Sequence, residues 1–115
     1  MSIDKDFVLM ITSSEIGVGE QDLGAKLTEL FLNVFSESQQ RPAKMIFINS
    51  GVLLTTQGSP VIDKLRKLEE QGTEISSCIT CLTYFDRMEK VVVGKRSDMK
   101  DTVNALTSFR KVVTL

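Results

Sequence analysis

Cys78 and Cys81 are the only cysteines in the chain, and they stand three positions apart in the run Ser77-Cys78-Ile79-Thr80-Cys81-Leu82. A thiol pair at that spacing can exchange a disulfide, relay a sulfane sulfur as a persulfide, or contribute ligands to a metal. No histidine is present, which removes Ser-His and Cys-His nucleophile pairs and every imidazole ligand for zinc. Two thiolates alone do not close a zinc site, so the expectation is thiol chemistry with no metal and no cofactor. If Cys78 ends a strand and opens a helix, the unpaired backbone N–H groups of the helix start favour a thiolate there, with Cys81 one turn further in. On that expectation Cys78 is the exposed, attacking thiol and Cys81 the more enclosed, resolving one. The structural alternative is a pair of buried, inert cysteines packed as small hydrophobes.

Other stretches could supply a pocket. Asn49-Ser50-Gly51-Val52-Leu53-Leu54 places two polar residues where the second apolar run ends, then two leucines in what should be a loop. Asn49 and Ser50 either close a turn through their side chains or line the cysteine pocket. Leu53 and Leu54 either start a short extra helix on the core or lie at a subunit boundary. Gly17-Val18-Gly19 lacks the third glycine of a dinucleotide fingerprint and the lysine of a phosphate loop, so it is expected to be a plain turn before an acidic helix start. Lys95 and Arg96 are expected to be solvated surface charges.

The composition limits the partners. Fourteen basic residues face fifteen acidic ones, a formal net charge of -1, so nothing resembles the electrostatic footprint of a nucleic-acid or anionic-membrane binder. No apolar run reaches the roughly 18 residues that a membrane helix needs, and the N-terminus has no signal-peptide pattern. These features lead to an expectation of a cytoplasmic protein in which a pair of cysteines does redox or carrier chemistry rather than forming a structural disulfide. Residues 1–115 are expected to form one domain.

The elements that must position the thiols follow from the apolar pattern. Phe7–Ile11, Met45–Ile48, the stretch around Ile75, Val91–Val93 and Val112–Leu115 are continuous apolar runs, as expected of parallel strands covered on both faces. Leu23, Leu27, Leu30, Phe31, Val34 and Phe35 recur at helical spacing after the acidic start Glu20 and Asp22. Ser59-Pro60 predicts the start of a second helix, with Ile62, Leu65 and Leu68 on one face and Gly72 as its stop. A short third helix starts within or just after the cysteine motif, carrying Leu82, Phe85 and Met88. Ser97, Asp98 and Asp101 begin a fourth that is expected to bury Met99, Val103 and Leu106. Five strands alternating with four helices predict an α/β fold with right-handed crossovers. Ligands of such sheets bind beyond the carboxyl ends of the strands, where the cysteine motif would stand.

Several spaced motifs together resemble a known family. Ile48-Asn49-Ser50-Gly51-Val52, Gly58-Ser59, Ser77 to Leu82 with Tyr84, and Val93-Gly94 with Ser97-Asp98-Met99 are similar to the DsrE-like domain found at the C-terminus of YedF proteins. The resemblance implies a three-layer α/β/α sandwich around a five-stranded parallel sheet, and homo-oligomers built from trimeric units. It also implies relay of sulfane sulfur as a persulfide, in a group described as sulfurtransferase-like and linked to selenium metabolism. The carrier cysteine follows the third strand, the place of Cys78; Cys81 matches the second cysteine of the YedF-like motif, and Thr80 and Ser97 join Asn49, Ser50 and Gly51 in the implied pocket. Ile79 stands where the family usually has glycine, a β-branched residue poorly suited to positive φ. A TusA-like domain commonly precedes this one in YedF proteins and is not among these residues, so the implied sulfur donor and acceptor are other chains, a TusA-like protein being one form. The rival readings are a thiol-disulfide oxidoreductase using the pair directly, and a non-catalytic oligomeric module binding a ligand or protein. Against a thioredoxin fold, no proline follows Pro60, so the cis-proline that faces such active-site cysteines has no candidate.

Overall fold

A computed structural model describes residues 2–115. Five strands, β1 (Ser2–Ile11), β2 (Gln40–Phe47), β3 (Glu74–Cys78), β4 (Lys95–Ser97) and β5 (Lys111–Thr114), alternate with four helices, α1 (Gln21–Phe35), α2 (Ile62–Glu70), α3 (Ile79–Tyr84) and α4 (Met99–Ser108). A short 3-10 segment, Asn49–Leu54, follows β2, and another, Met88–Lys90, precedes β4. The strands form one all-parallel sheet in the order β4-β3-β2-β1-β5.

That order dictates the layers. Steps from β1 to β2, β3 and β4 move across the sheet in one direction, so right-handed crossovers put α1, α2 and α3 on one face. The step from β4 back past β1 to β5 reverses direction and carries α4 to the other face. Side chains along the strands obey this division with a period of two. Phe7, Leu9, Ile11, Met45, Phe47 and Ile75 pack with Leu32, Leu65, Leu68 and Leu82, whereas Val8 and Ile46 pack with Ala105. The result is the three-layer α/β/α sandwich expected from the sequence, with the larger core under α1 and α2. Each fully buried Leu, Ile or Phe there contributes about 1.5–3 kcal/mol of transfer free energy.

Several local expectations are corrected. The valine run Val91–Val93 is not the fourth strand: Val91 bridges Thr56, Val92 and Val93 donate their N–H groups to the Thr55 carbonyl, and Val93 is buried. Strand β4 starts two residues later, at Lys95, beyond the positive-φ turn at Gly94 (φ 79°). There it pairs with Ser76–Cys78 as a three-residue edge strand, with Lys95 and Arg96 exposed as suits an edge.

Helix α4 buries Thr102 and Ala105 and leaves Met99 and Val103 about half exposed, with Leu106 between. Helix α1 likewise buries Gly24, Thr28 and Leu32, while Leu23, Leu27, Leu30 and Val34 face outward and Phe31 and Phe35 pack at the core margin. In both helices small residues are among those that meet the layer beneath, and larger aliphatic ones are left outside. Finally, β1 begins at Ser2 and β2 at Gln40, because the polar residues Ser2–Asp4 pair with Gln40–Pro42. Helix α2 begins at Ile62, three residues after Ser59, whose hydroxyl accepts the Val61 N–H.

Candidate functional site

The carboxyl ends of β2 and β3 deliver the two halves of the site side by side, since Phe47 and Ser77 are register partners. Strand β3 ends on Cys78, which caps α3 with extended backbone (φ -67°, ψ 124°), and Cys81 lies in the first turn of that helix. Both cysteines are free thiols, close enough for Cys78 to influence the ionisation of Cys81. Their exposure is the reverse of the expectation from sequence. Cys78 is 2% exposed, while Cys81 is half-buried and opens into a cavity of about 330 Å³ lined by Asn49, Thr80, Tyr84 and Phe85. The cause is positional: Cys78 is still a strand residue, flanked by the β4 partner Ser97, itself buried, whereas Cys81 sits beyond the sheet edge.

Beyond β2 the chain makes a tight turn against the end of β1. The Ile48 N–H donates to the Ile11 carbonyl at 3.1 Å, and the Gly51 N–H donates to the Ile48 carbonyl at 2.9 Å. Gly51 is pressed onto β1: a Cβ there would sit 2.4 Å from the Ile11 carbonyl oxygen, so no side chain fits. The Ser50 hydroxyl accepts the Ser14 N–H at 3.1 Å. Asn49 takes a left-handed conformation (φ 52°), its Oδ1 accepts the Ser50 N–H at 2.8 Å, and its own N–H donates to Cys81 Sγ at 3.0 Å. Burial pushes the Cys81 thiol above its ordinary pKa; the Asn49 amide opposes this, and the neighbouring Cys78 adds to the rise.

The residues expected at the site therefore divide. Asn49, Thr80 and Cys81 line one cavity, and Cys78 and Ser97 lie side by side behind it. Ser50 and Gly51 do not line that cavity; they clamp the turn onto the end of β1 and the loop that follows it. Leu54 belongs to the core and Leu53 is half-buried, so this pair is the packed extra helix rather than an open apolar loop. Two further lining residues, Tyr84 and Phe85, are aromatic. The signal available for them is their spacing of three and four from Cys81, which brings them to its side of a helix. Tyr84 is exposed, and its ring meets that of Phe85 edge-on at 5.1 Å.

A second, more polar cavity of about 250 Å³ opens between the loop after β1, the start of α1 and the turn before α2. Ser14, Glu15, Glu29, Gln57 and Arg87 are among its lining residues, and neither thiol reaches it. Among the described residues no group of three or more metal-ligating side chains converges, and no helix is long and apolar enough to cross a membrane.

A five-stranded parallel sheet with this order and helices on both faces makes this a small three-layer α/β domain, with a free thiol pair at the end of its third strand. No family model matches the sequence, and no curated protein matches it. Solved structures do match along nearly the whole chain. The ychN protein from E. coli superposes with a TM-score of 0.67 at 14% identity, covering 97% of this chain and 100% of that one. MTH1491 from Methanobacterium thermoautotrophicum gives a TM-score of 0.68 at 14% identity, with 97% and 100% covered. BT1422 from Bacteroides thetaiotaomicron gives 0.65 at 14% identity, with 96% and 95% covered. The last two are described as proteins of unknown function. The likeness is one of fold.

Proposed function

We propose that this chain is a cytoplasmic sulfur-handling protein of YedF-like type that relays sulfane sulfur as a persulfide on the Cys78/Cys81 pair, between a donor and an acceptor protein. The observation that carries the reading is the thiol pair itself: two free cysteines within one turn at the start of α3, one of them opening into a cavity at the carboxyl edge of a parallel sheet. Burial orders the steps. Cys81 meets the donor: its thiolate attacks the outer sulfur of a donor persulfide, the donor S–S bond breaks, the donor thiolate leaves, and Cys81 holds the outer sulfur as its own persulfide. An acceptor thiolate then attacks that outer sulfur and restores the Cys81 thiolate. Alternatively Cys78 attacks the inner sulfur, releasing hydrosulfide and leaving a Cys78–Cys81 disulfide that an external thiol must reduce.

The placement of both thiols within one turn at the start of α3 also favours a second reading, a dithiol-disulfide oxidoreductase using the same pair. Mass spectrometry separates the two. After incubation with a low-molecular-weight persulfide, the carrier gains about 32 Da per sulfur, mapped to the peptide holding Cys78 and Cys81. Followed over time, an oxidoreductase instead loses two hydrogens without passing through a sulfur-loaded species, and an unchanged mass removes both readings.

The reading extends to assembly as a homo-oligomer, trimer-based as the resemblance implies. The support lies on α1, where Leu23, Leu27, Leu30 and Val34 follow four-three-four spacing along an exposed face, the spacing of a helix-pairing seam.

A further inference from the structure

We propose that Asn49 is a positioning residue for Cys81: its left-handed backbone aims the Asn49 amide at the sulfur, and this donor holds the sulfur when it carries negative charge. The inference deepens the carrier reading and rests on Cys81 being the thiol that works.

The turn has the construction of a fixed donor. On its near side the Ile48 N–H is anchored to the Ile11 carbonyl. On its far side Ser50 is tied to Ser14, and Gly51 lies against the same Ile11 carbonyl with no room for a Cβ. With both sides held on β1, the φ angle at Asn49 sets the tilt of the intervening peptide. At 52° that tilt points the N–H at Sγ, 3.0 Å away. The other two amide donors of the turn are already used, Ser50 by Asn49 Oδ1 and Gly51 by the Ile48 carbonyl.

A left-handed φ is costly for most residues with a Cβ, and asparagine is among the few that adopt it readily. A hydrogen bond to an ionised acceptor is about twice as strong as one to a neutral acceptor, so the aimed amide favours thiolate over thiol. It acts against the burial of the same sulfur, which favours the neutral form. The asparagine in this turn thus has a physical role that a general preference for polar loops does not explain.

The test uses the full chain carrying Cys78→Ser, so that Cys81 is its one thiol. Alkylation by iodoacetamide is followed against pH in that background and in combination with Asn49→Gly, Asn49→Ala and Asn49→Val. Glycine keeps the left-handed backbone, and its profile is expected to stay close to the background. Valine disfavours it most, and its midpoint is expected to move about one pH unit toward alkaline, read as about tenfold slower alkylation at neutral pH. Alanine is expected between the two, and it carries the comparison if the valine variant does not fold. A valine profile superimposed on the background overturns the proposal, as does a glycine profile shifted as far as valine's, which would assign the effect to the carboxamide rather than to the aimed amide. Sulfur loading is measured separately on the parent chain by mass. Failure to load overturns the carrier reading and leaves the alkylation profiles to stand, whereas superimposed profiles overturn this inference and leave the carrier reading untouched.

Discussion

The cysteine edge of the sheet and the outer face of α1 are built in opposite ways. At the edge, the turn after β2 has its amides engaged, by the Ile11 and Ile48 carbonyls, by Asn49 Oδ1 and by Cys81 Sγ, and its one glycine is in contact with β1. It is complete within one chain. The outer face of α1 presents four aliphatic side chains and a shallow apolar groove of about 490 Å³ that continues over Phe31, Phe35 and Leu115. Contiguous apolar surface of that kind marks an interaction site in soluble proteins. On the proposed reading, the contrast assigns chemistry and assembly to different parts of this molecule, so that each should be alterable without the other.

The largest effect is expected on the buried side of α1. Leu32 is fully buried in the main core, and Leu32→Ala should cost about 2–5 kcal/mol in urea unfolding. On the same helix Leu30→Ala, at a half-exposed position, should change a monomer's stability by only about 0.5 kcal/mol. Equal losses from the two would mean that the two sides of α1 are not distinct.

Gly51→Ala comes next. Its Cβ would fall 2.4 Å from backbone oxygen, a clash relieved only by moving the turn, and the expected cost is about 1–3 kcal/mol or more. The same shift displaces the Asn49 amide, so Cys81 alkylation should slow as well. Undiminished stability would show that the turn is not clamped.

Assembly sharpens the comparison from the other side. In sedimentation equilibrium at micromolar concentration the parent should have the mass of more than one chain, and Leu30→Glu with Val34→Glu should return it to a monomer that still loads sulfur. A parent that is already monomeric contradicts the assembly role of this face.

The smallest effects are those of pH. Burial opposes ionisation of Glu74, but Lys44 at 3.0 Å and Lys95 at 3.3 Å outweigh it and hold the carboxyl below its ordinary range. A depressed folded pKa contributes stability above the unfolded value that is lost as pH falls through the folded one. Glu74→Gln should therefore flatten the acid limb by under about 1 kcal/mol, given the half-exposed carboxylate. Cys81 has the opposite sign: its raised pKa contributes stability present below the unfolded value and lost as pH rises through the folded one. Cys81→Ser should remove that alkaline loss. Denaturant midpoints from pH 3 to pH 10 check both limbs.

Much of this architecture is legible in the sequence, because short uninterrupted apolar runs such as Phe7–Ile11 and Met45–Ile48, too short for a helix of ordinary length, fit strands buried on both faces. The misplacements have one physical source. Apolar periodicity identifies a helix but not which neighbour its apolar face meets. In α1 and α4 small residues reach the layer beneath, so the strongest apolar stripes point elsewhere. The valine run before β4 misleads similarly, since its burial comes from the segment at Thr55 rather than from strand pairing. At the site, residue type and spacing point to Cys78 and Cys81, and offer Asn49 as one of several polar candidates. They do not reveal which thiol is open, because that depends on Cys78 still being part of β3 when α3 begins.

The most direct test of the account compares sulfur loading of Cys78→Ser and Cys81→Ser, each offered the same low-molecular-weight persulfide and followed by intact mass over time. If Cys81 is the thiol that meets the donor, Cys78→Ser gains about 32 Da and keeps it longer than the parent, having lost the thiol that displaces it, while Cys81→Ser stays at its starting mass. Loading of Cys81→Ser with none on Cys78→Ser would contradict the account and restore Cys78 as the carrier.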